Sequence, residues 1–157
     1  EFGNKIKFIL DGGKCKIGLE STIIDLTGKP TILRQGSIIR EKIQKVINKN
    51  ITVKKNSKLT KSPGQLKLHY SPGITVKTNR KSPEKKGAFI VFGKKFKMEK
   101  NYFNLSKNGN LKEAGNNLYK TMRKIKKMNF KSISVCRIPN KGIGCAINER
   151  LKKASNK

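Results

Sequence analysis

Apolar and polar positions along the chain divide it into short strand patterns, two clear helical patterns and a basic stretch between them. Lys5 to Leu10 alternates charged and apolar residues and ends at the turn Asp11-Gly12-Gly13, which predicts a strand. Thr22 to Leu26 is rich in β-branched residues, and Thr31 to Arg34 resumes the pattern after Gly28 and Pro30. Two strands on either side of that punctuation predict a hairpin. A helix is expected from about Ile38 to Asn48, capped by Gly36-Ser37, with Ile39, Ile43, Val46 and Ile47 on one face.

Beyond position 72 strand and helix alternate. Ile74 to Lys77, the glycine-bounded apolar run Gly87 to Gly93, Tyr102 to Leu105 and Ser132 to Ile138 read as strands, the second of them buried. Leu111, Ala114, Leu118, Met122, Ile125 and Met128 recur at helical spacing, and Ile143 to Ala154 predicts a final helix. Gly142 and Gly144 make a G-x-G without the third glycine of a phosphate loop, so they read as the turn from strand into helix. The β-α-β-α order implies a small parallel α/β domain.

Between the two patterned regions lies Lys49 to Lys61, polar and basic, and then Ser62 to Pro72, SPGQLKLHYSP. Pro63 and Pro72 each fix φ near −65° and bias the residue before them away from helix. Leu66, Leu68 and Tyr70 fall on one side of an extended segment and His69, the chain's sole histidine, on the other. This is a strap with an apolar face, not the Gly/Ser composition of a free spacer.

Composition narrows the class. With 38 Lys and Arg against 9 Asp and Glu, the formal charge is +29. Such a balance points to nucleic acid or an anionic surface. The charge is nearly all lysine, however, and it is spread from Lys5 to Lys157 together with abundant Ile and Asn, which is what AT-rich codons produce. Cys15, Cys136 and Cys145 include no C-x-x-C pair, which argues against a disulfide framework or a four-ligand zinc site and for a reducing compartment. No apolar run approaches the ~18 residues that span a bilayer, and no secretory signal pattern is present, so the chain reads as a cytosolic protein without a membrane segment. Opening on Glu1 and passing at once into a strand pattern, it is expected to be a fragment lacking its N-terminal part.

Two motifs carry a resemblance. DGGKCKIGLESTIIDLTGKPTILRQGSI, from Asp11 to Ile38, resembles the closing part of the catalytic domain of threonylcarbamoyl-AMP synthases, the YrdC-like family: DGG, then G-x-EST and two apolar residues before Asp, then LR-x-G. SPGQLKLHYSP resembles the linker of the two-domain members. Residues 74–157, with Ala114 to Tyr119 and the ending GIGCAINERLKKAS, resemble their C-terminal domain. The resemblance implies an α/β fold in three parts: residues 1–48 as the end of a YrdC-like twisted-sheet domain, 49–73 as linker with the strap, and 74–157 as a small Rossmann-like domain. Gln35 replaces the proline usual after the family's arginine, Gln65 the usual methionine of the linker, and Glu149 the usual aspartate.

The implied activity joins L-threonine, bicarbonate and ATP, with Mg2+, into threonylcarbamoyl-AMP and pyrophosphate, and a partner transferase then modifies tRNA. Ser21 matches the position that contacts threonine; Arg34 and Tyr70 match positions that contact ATP. On the residues alone, Ser21 caps local backbone and Arg34 pairs with Asp25 or Glu20. No catalytic acid, base or metal ligand is assigned, and His69 has no marked partner. The family's lysine/arginine motif and S-x-N motif lie N-terminal to the part that these residues resemble, so the polypeptide alone is expected to be inactive. Two rivals stand beside the enzyme: a non-catalytic basic RNA-binding module, and a regulatory domain that binds no nucleotide. Transient contact with tRNA is compatible with all the basic charge.

Overall fold

The computed structural model describes residues 3–13, 15, 17–54 and 71–155. The strap, with His69 and Tyr70, lies outside the described residues.

Strands β1 (Ile23–Asp25) and β2 (Thr31–Arg34) form the expected antiparallel hairpin, Ile24 opposite Ile32 and Asp25 opposite Thr31. Helix α1 (Arg40–Ile47) follows. It starts two residues later than the pattern suggests, after Ile39, whose side chain makes no cap bond. Gly36-Ser37 does not cap it because those residues are already committed. The Ser37 amide donates to the Glu20 carbonyl at 3.2 Å, and Gly36 lies against the Glu20–Thr22 backbone. Ile39, Ile43 and Ile47 are half-buried, while Val46 is exposed.

Two further local expectations fail. Residues 6–10 form no strand: a 3-10 turn occupies Gly3–Lys5, and Phe8, Ile9 and Leu10 stand exposed. Alternation becomes a strand only where a neighbour supplies the rest of the ladder, and among the described residues none pairs with 6–10. Conversely, the basic stretch after α1 opens with a strand, β3 (Thr52–Val53), parallel to β2, and Ile51 is fully buried. Pairing with an existing strand overrides a polar local composition.

The C-terminal unit follows its pattern closely. Strands β4 (Thr75–Lys77), β5 (Ala88–Val91), β6 (Tyr102–Asn104) and β7 (Ser132–Val135) form a parallel sheet in the order β4-β7-β5-β6. Helices α2 (Leu111–Lys127) and α3 (Ile143–Ser155) share one core with it. Leu118, Met122, Ile125, Ile147 and Leu151 pack there with Ala88, Ile90, Ile133 and Val135. Alternate β5 residues Phe89 and Val91 face the other way into a second cluster. There Phe89 meets Phe96 and Tyr102 edge to face, with centroids 5.7 and 5.2 Å apart. Asn110 caps α2, its carboxamide oxygen accepting from the amides of Lys112 and Glu113 at 2.9 and 3.1 Å. Met128, at the end of the periodic series, is exposed.

Candidate functional site

The two described residues singled out as ligand contacts are brought together. Ser21 sits just before β1 and Arg34 closes β2, so the hairpin returns one beside the other. Arg34 Nε donates to the Ser21 carbonyl at 3.1 Å and Nη2 to Ser21 Oγ at 3.0 Å. Ser21 is exposed and Arg34 half-buried. The pair therefore presents a hydroxyl and a guanidinium, with donors remaining, towards the surface. Glu20, one of the acids weighed as a partner for Arg34, is instead bonded to Arg150 and Tyr119.

Close packing at Gly36 makes this geometry attainable. A Cβ there would stand 2.4 Å from the Glu20 carbonyl oxygen, the Ser21 carbonyl carbon and the Thr22 nitrogen. Only glycine lets the chain leaving β2 run so close over the serine segment. Thr22 Oγ1 donates to the Ile38 carbonyl at 2.6 Å and ties the same crossing from the other side.

From Gly18 to Glu20 the chain is seated on the C-terminal unit. Gly18 has φ +65, and a Cβ on it would lie 2.7 Å from the Asn116 Cα on α2. Leu19 packs against the main core, over Gly115 and beside Ile143. The Glu20 carboxylate accepts from Arg150 Nε and Nη2 at 3.1 and 3.0 Å and from the Tyr119 hydroxyl at 3.0 Å. Partial burial pushes the Glu20 carboxyl up, but its backbone hydrogen bond and the donors from Arg150 and Tyr119 outweigh this and hold it below its ordinary value. Gln35 is held from α3 as well: its amide donates to Glu149 Oε2 at 3.2 Å, and its carbonyl accepts from Arg150 Nη1.

Arg150 is the residue that reading the sequence missed, and Glu149 stands out there only as a replacement for the usual aspartate. Amid so many basic side chains, a charged pair on the last helix looks like solvated surface. The usable signal was the position of Arg150 on the buried stripe of α3, one turn from both Ile147 and Ala154. A cleft of about 350 Å3 also opens between the hairpin and the start of α3, with Thr22, Gly36, Ile39, Gly142 and Cys145 in its wall. Ser21 and Arg34 do not line it. Among the described residues no three His, Cys, Asp or Glu side chains converge as metal ligands, and no helix is long and apolar enough to cross a membrane.

A hairpin that presents a serine–arginine pair, seated on a parallel α/β unit, defines a two-part α/β protein with its polar site on the smaller part. Residues 38–156 match the family profile described as threonylcarbamoyl-AMP synthase, C-terminal domain, and residues 1–36 match one described as telomere recombination. The chain belongs to the threonylcarbamoyl-AMP synthase family. The threonylcarbamoyl-AMP synthase of Pyrococcus abyssi is 33% identical over 175 aligned positions, which take in 99% of this chain and 51% of that protein. The synthase of Bacillus subtilis is 26% identical over 99% of this chain and 50% of its own length. That of Schizosaccharomyces pombe is 40% identical over 82 residues, 46% of this chain and 20% of its own length.

The crystal structure of P. abyssi Sua5 complexed with L-threonine superposes with a TM-score of 0.82 at 30% identity, over 99% of this chain and 51% of that one. A variant of P. abyssi Sua5 with an adjacent His-Tyr pair changed to alanines gives 0.74 at 26% identity, over 92% of this chain and 47% of that one. The chain thus spans about half the length of the relatives it matches over its whole extent.

Proposed function

We propose that this chain is the C-terminal half of an enzyme that joins L-threonine, bicarbonate and ATP into threonylcarbamoyl-AMP and pyrophosphate, for transfer by a partner enzyme to tRNA. The observation that carries the reading is the Ser21–Arg34 pair, held in bonding contact at an exposed hairpin end in a chain similar to a structure complexed with L-threonine. In this reading Ser21 Oγ binds the threonine substrate and Arg34 binds ATP oxygens, for which a planar guanidinium is well shaped. The reaction transfers an adenylyl group to a carbamate oxygen, so these residues contribute by placing reactants and offsetting phosphate charge.

Tyr70 is the third ligand contact in this proposal. The only histidine of the chain is followed by tyrosine, His69-Tyr70, the same dipeptide as that altered in the P. abyssi variant. Mg2+ enters with ATP; among the described residues no three His, Cys, Asp or Glu side chains converge to hold it. The remaining contacts to threonine and ATP belong to the other half of the protein, and these 157 residues alone are expected to release no pyrophosphate.

The test is pyrophosphate release by the intact protein given ATP and bicarbonate, with and without threonine. Threonine-dependent release that falls on the order of a hundredfold in Arg34→Ala supports the reading, since removal of one preorganised donor costs about that much. No release, together with salt-sensitive tRNA binding, would indicate a non-catalytic RNA-binding module instead.

A further inference from the structure

We infer that Arg150 is a positioning residue for the Ser21–Arg34 site, and that the C-terminal unit acts on the site through it. The inference rests on the synthase reading above. Arg150 is only 1% exposed. A guanidinium withdrawn from water to that degree must be fully engaged. Four of its bonds among the described residues converge on one place: two donors reach the Glu20 carboxylate, and Nη1 faces the Gln35 carbonyl and, at 3.4 Å, the Glu149 carboxylate. Glu20 is the residue before Ser21, and Gln35 is the residue after Arg34. Arg150 thus grips the immediate neighbour of each site residue.

The links form a closed ring. It runs from Arg150 to Glu20, along the chain to Ser21, across the hydrogen bonds to Arg34, along the chain to Gln35, and back to Arg150. Glu149 adds a second hold on Gln35 by accepting from its amide, and Lys153 donates to Glu149 at 2.7 Å. With Gly36 pressed on the Glu20–Thr22 backbone, the two strands have no slack at this point. A shift of the Arg150 guanidinium must therefore change the distance or angle between Ser21 and Arg34. Lysine cannot substitute: it carries one compact charge, whereas this position needs a planar fork that serves a carboxylate and a carbonyl in different directions.

A merely structural ion pair predicts something else. Its loss lowers stability but leaves ligand affinity unchanged in molecules that remain folded. L-Threonine binding to the intact protein, measured by calorimetry well below the unfolding temperature, separates the two roles. Arg150→Lys is expected to bind threonine at least about tenfold more weakly, since small misplacements at a site are costly. Glu20→Gln, which retains the side-chain shape, is expected to shift affinity in the same direction. Because both changes break one ring, the double variant should lose no more than about twofold beyond the weaker single variant.

Threonine affinities of the folded variants within about twofold of the parent would overturn the positioning role, and so would a double variant whose loss is the sum of the two single losses, as independent effects give. If Arg150→Lys does not fold, Glu20→Gln decides by the same criterion. Failure of the synthase reading looks different: the parent protein itself would then show neither threonine binding nor threonine-dependent pyrophosphate release.

Discussion

The hairpin region and the C-terminal unit use the same chain chemistry to opposite ends. In residues 17–54 the buried apolar side chains are Ile32 and Ile51, while Leu26, Ile38 and Val46 remain exposed. In residues 71–155 the central strands β5 and β7 are buried throughout, and α2 and α3 close one face of their sheet. The candidate ligand contacts are on the thin region, and the stabilising core is in the other. A site built on so little core of its own has to borrow rigidity. Gly18, Leu19, Glu20 and Gln35 are where it does so, each seated on α2 or α3.

The largest effect expected from this contrast is in the core. Phe89→Ala removes a fully buried ring and its two edge-to-face partners, and should destabilise the C-terminal unit by about 3–5 kcal/mol in denaturant unfolding. A loss under about 1 kcal/mol would mean that this unit is not the stable partner. Next comes Gly36→Ala. A methyl group 2.4 Å from three backbone atoms cannot be housed without parting the hairpin from the serine segment, at about 1–3 kcal/mol. Its cost should appear in threonine affinity as well as in stability, unlike that of Phe89→Ala in protein that remains folded.

Smaller again is the effect of capping. Asn110→Ala deletes the acceptor for two amides of α2 and should cost about 1 kcal/mol without altering threonine affinity. Acid probes the seam between the regions. The Glu20 carboxyl lies below its ordinary value of 4.5 when folded, so its carboxylate is favoured in the native state. Its contribution is complete above that ordinary value and is lost as pH falls through the lower folded value. Glu20→Gln should flatten stability against pH in that acid window and leave it unchanged near neutrality in slope. An equally steep acid limb in the variant would show that Glu20 carries no part of it.

The contrast also explains how far the sequence could be read. The glycine-bounded run of β5 and the periodic stripe of α2 are dictated by local pattern, and both elements fall where that pattern puts them. The hairpin is likewise legible, because a short turn leaves few alternatives for registering its two strands, whereas the contact of Arg34 with Ser21, in place of an acid, is not. What was not legible depends on partners far along the chain. Residues 6–10 alternate correctly but lack a neighbouring strand among the described residues. Thr52–Val53 looks like basic connector, yet β2 recruits it. Arg150 reads as one more surface cation until the fold places Glu20, 130 positions away, against it.

The most direct measurement is hydrogen exchange of the intact protein with and without L-threonine. If the thin region holds the ligand and the C-terminal unit serves as its scaffold, threonine should slow exchange at the amides of residues 20–36. The amides of β5 and β7 should already be the best protected and should change little. Protection by threonine confined to the C-terminal unit, with residues 20–36 unaffected, would contradict the account.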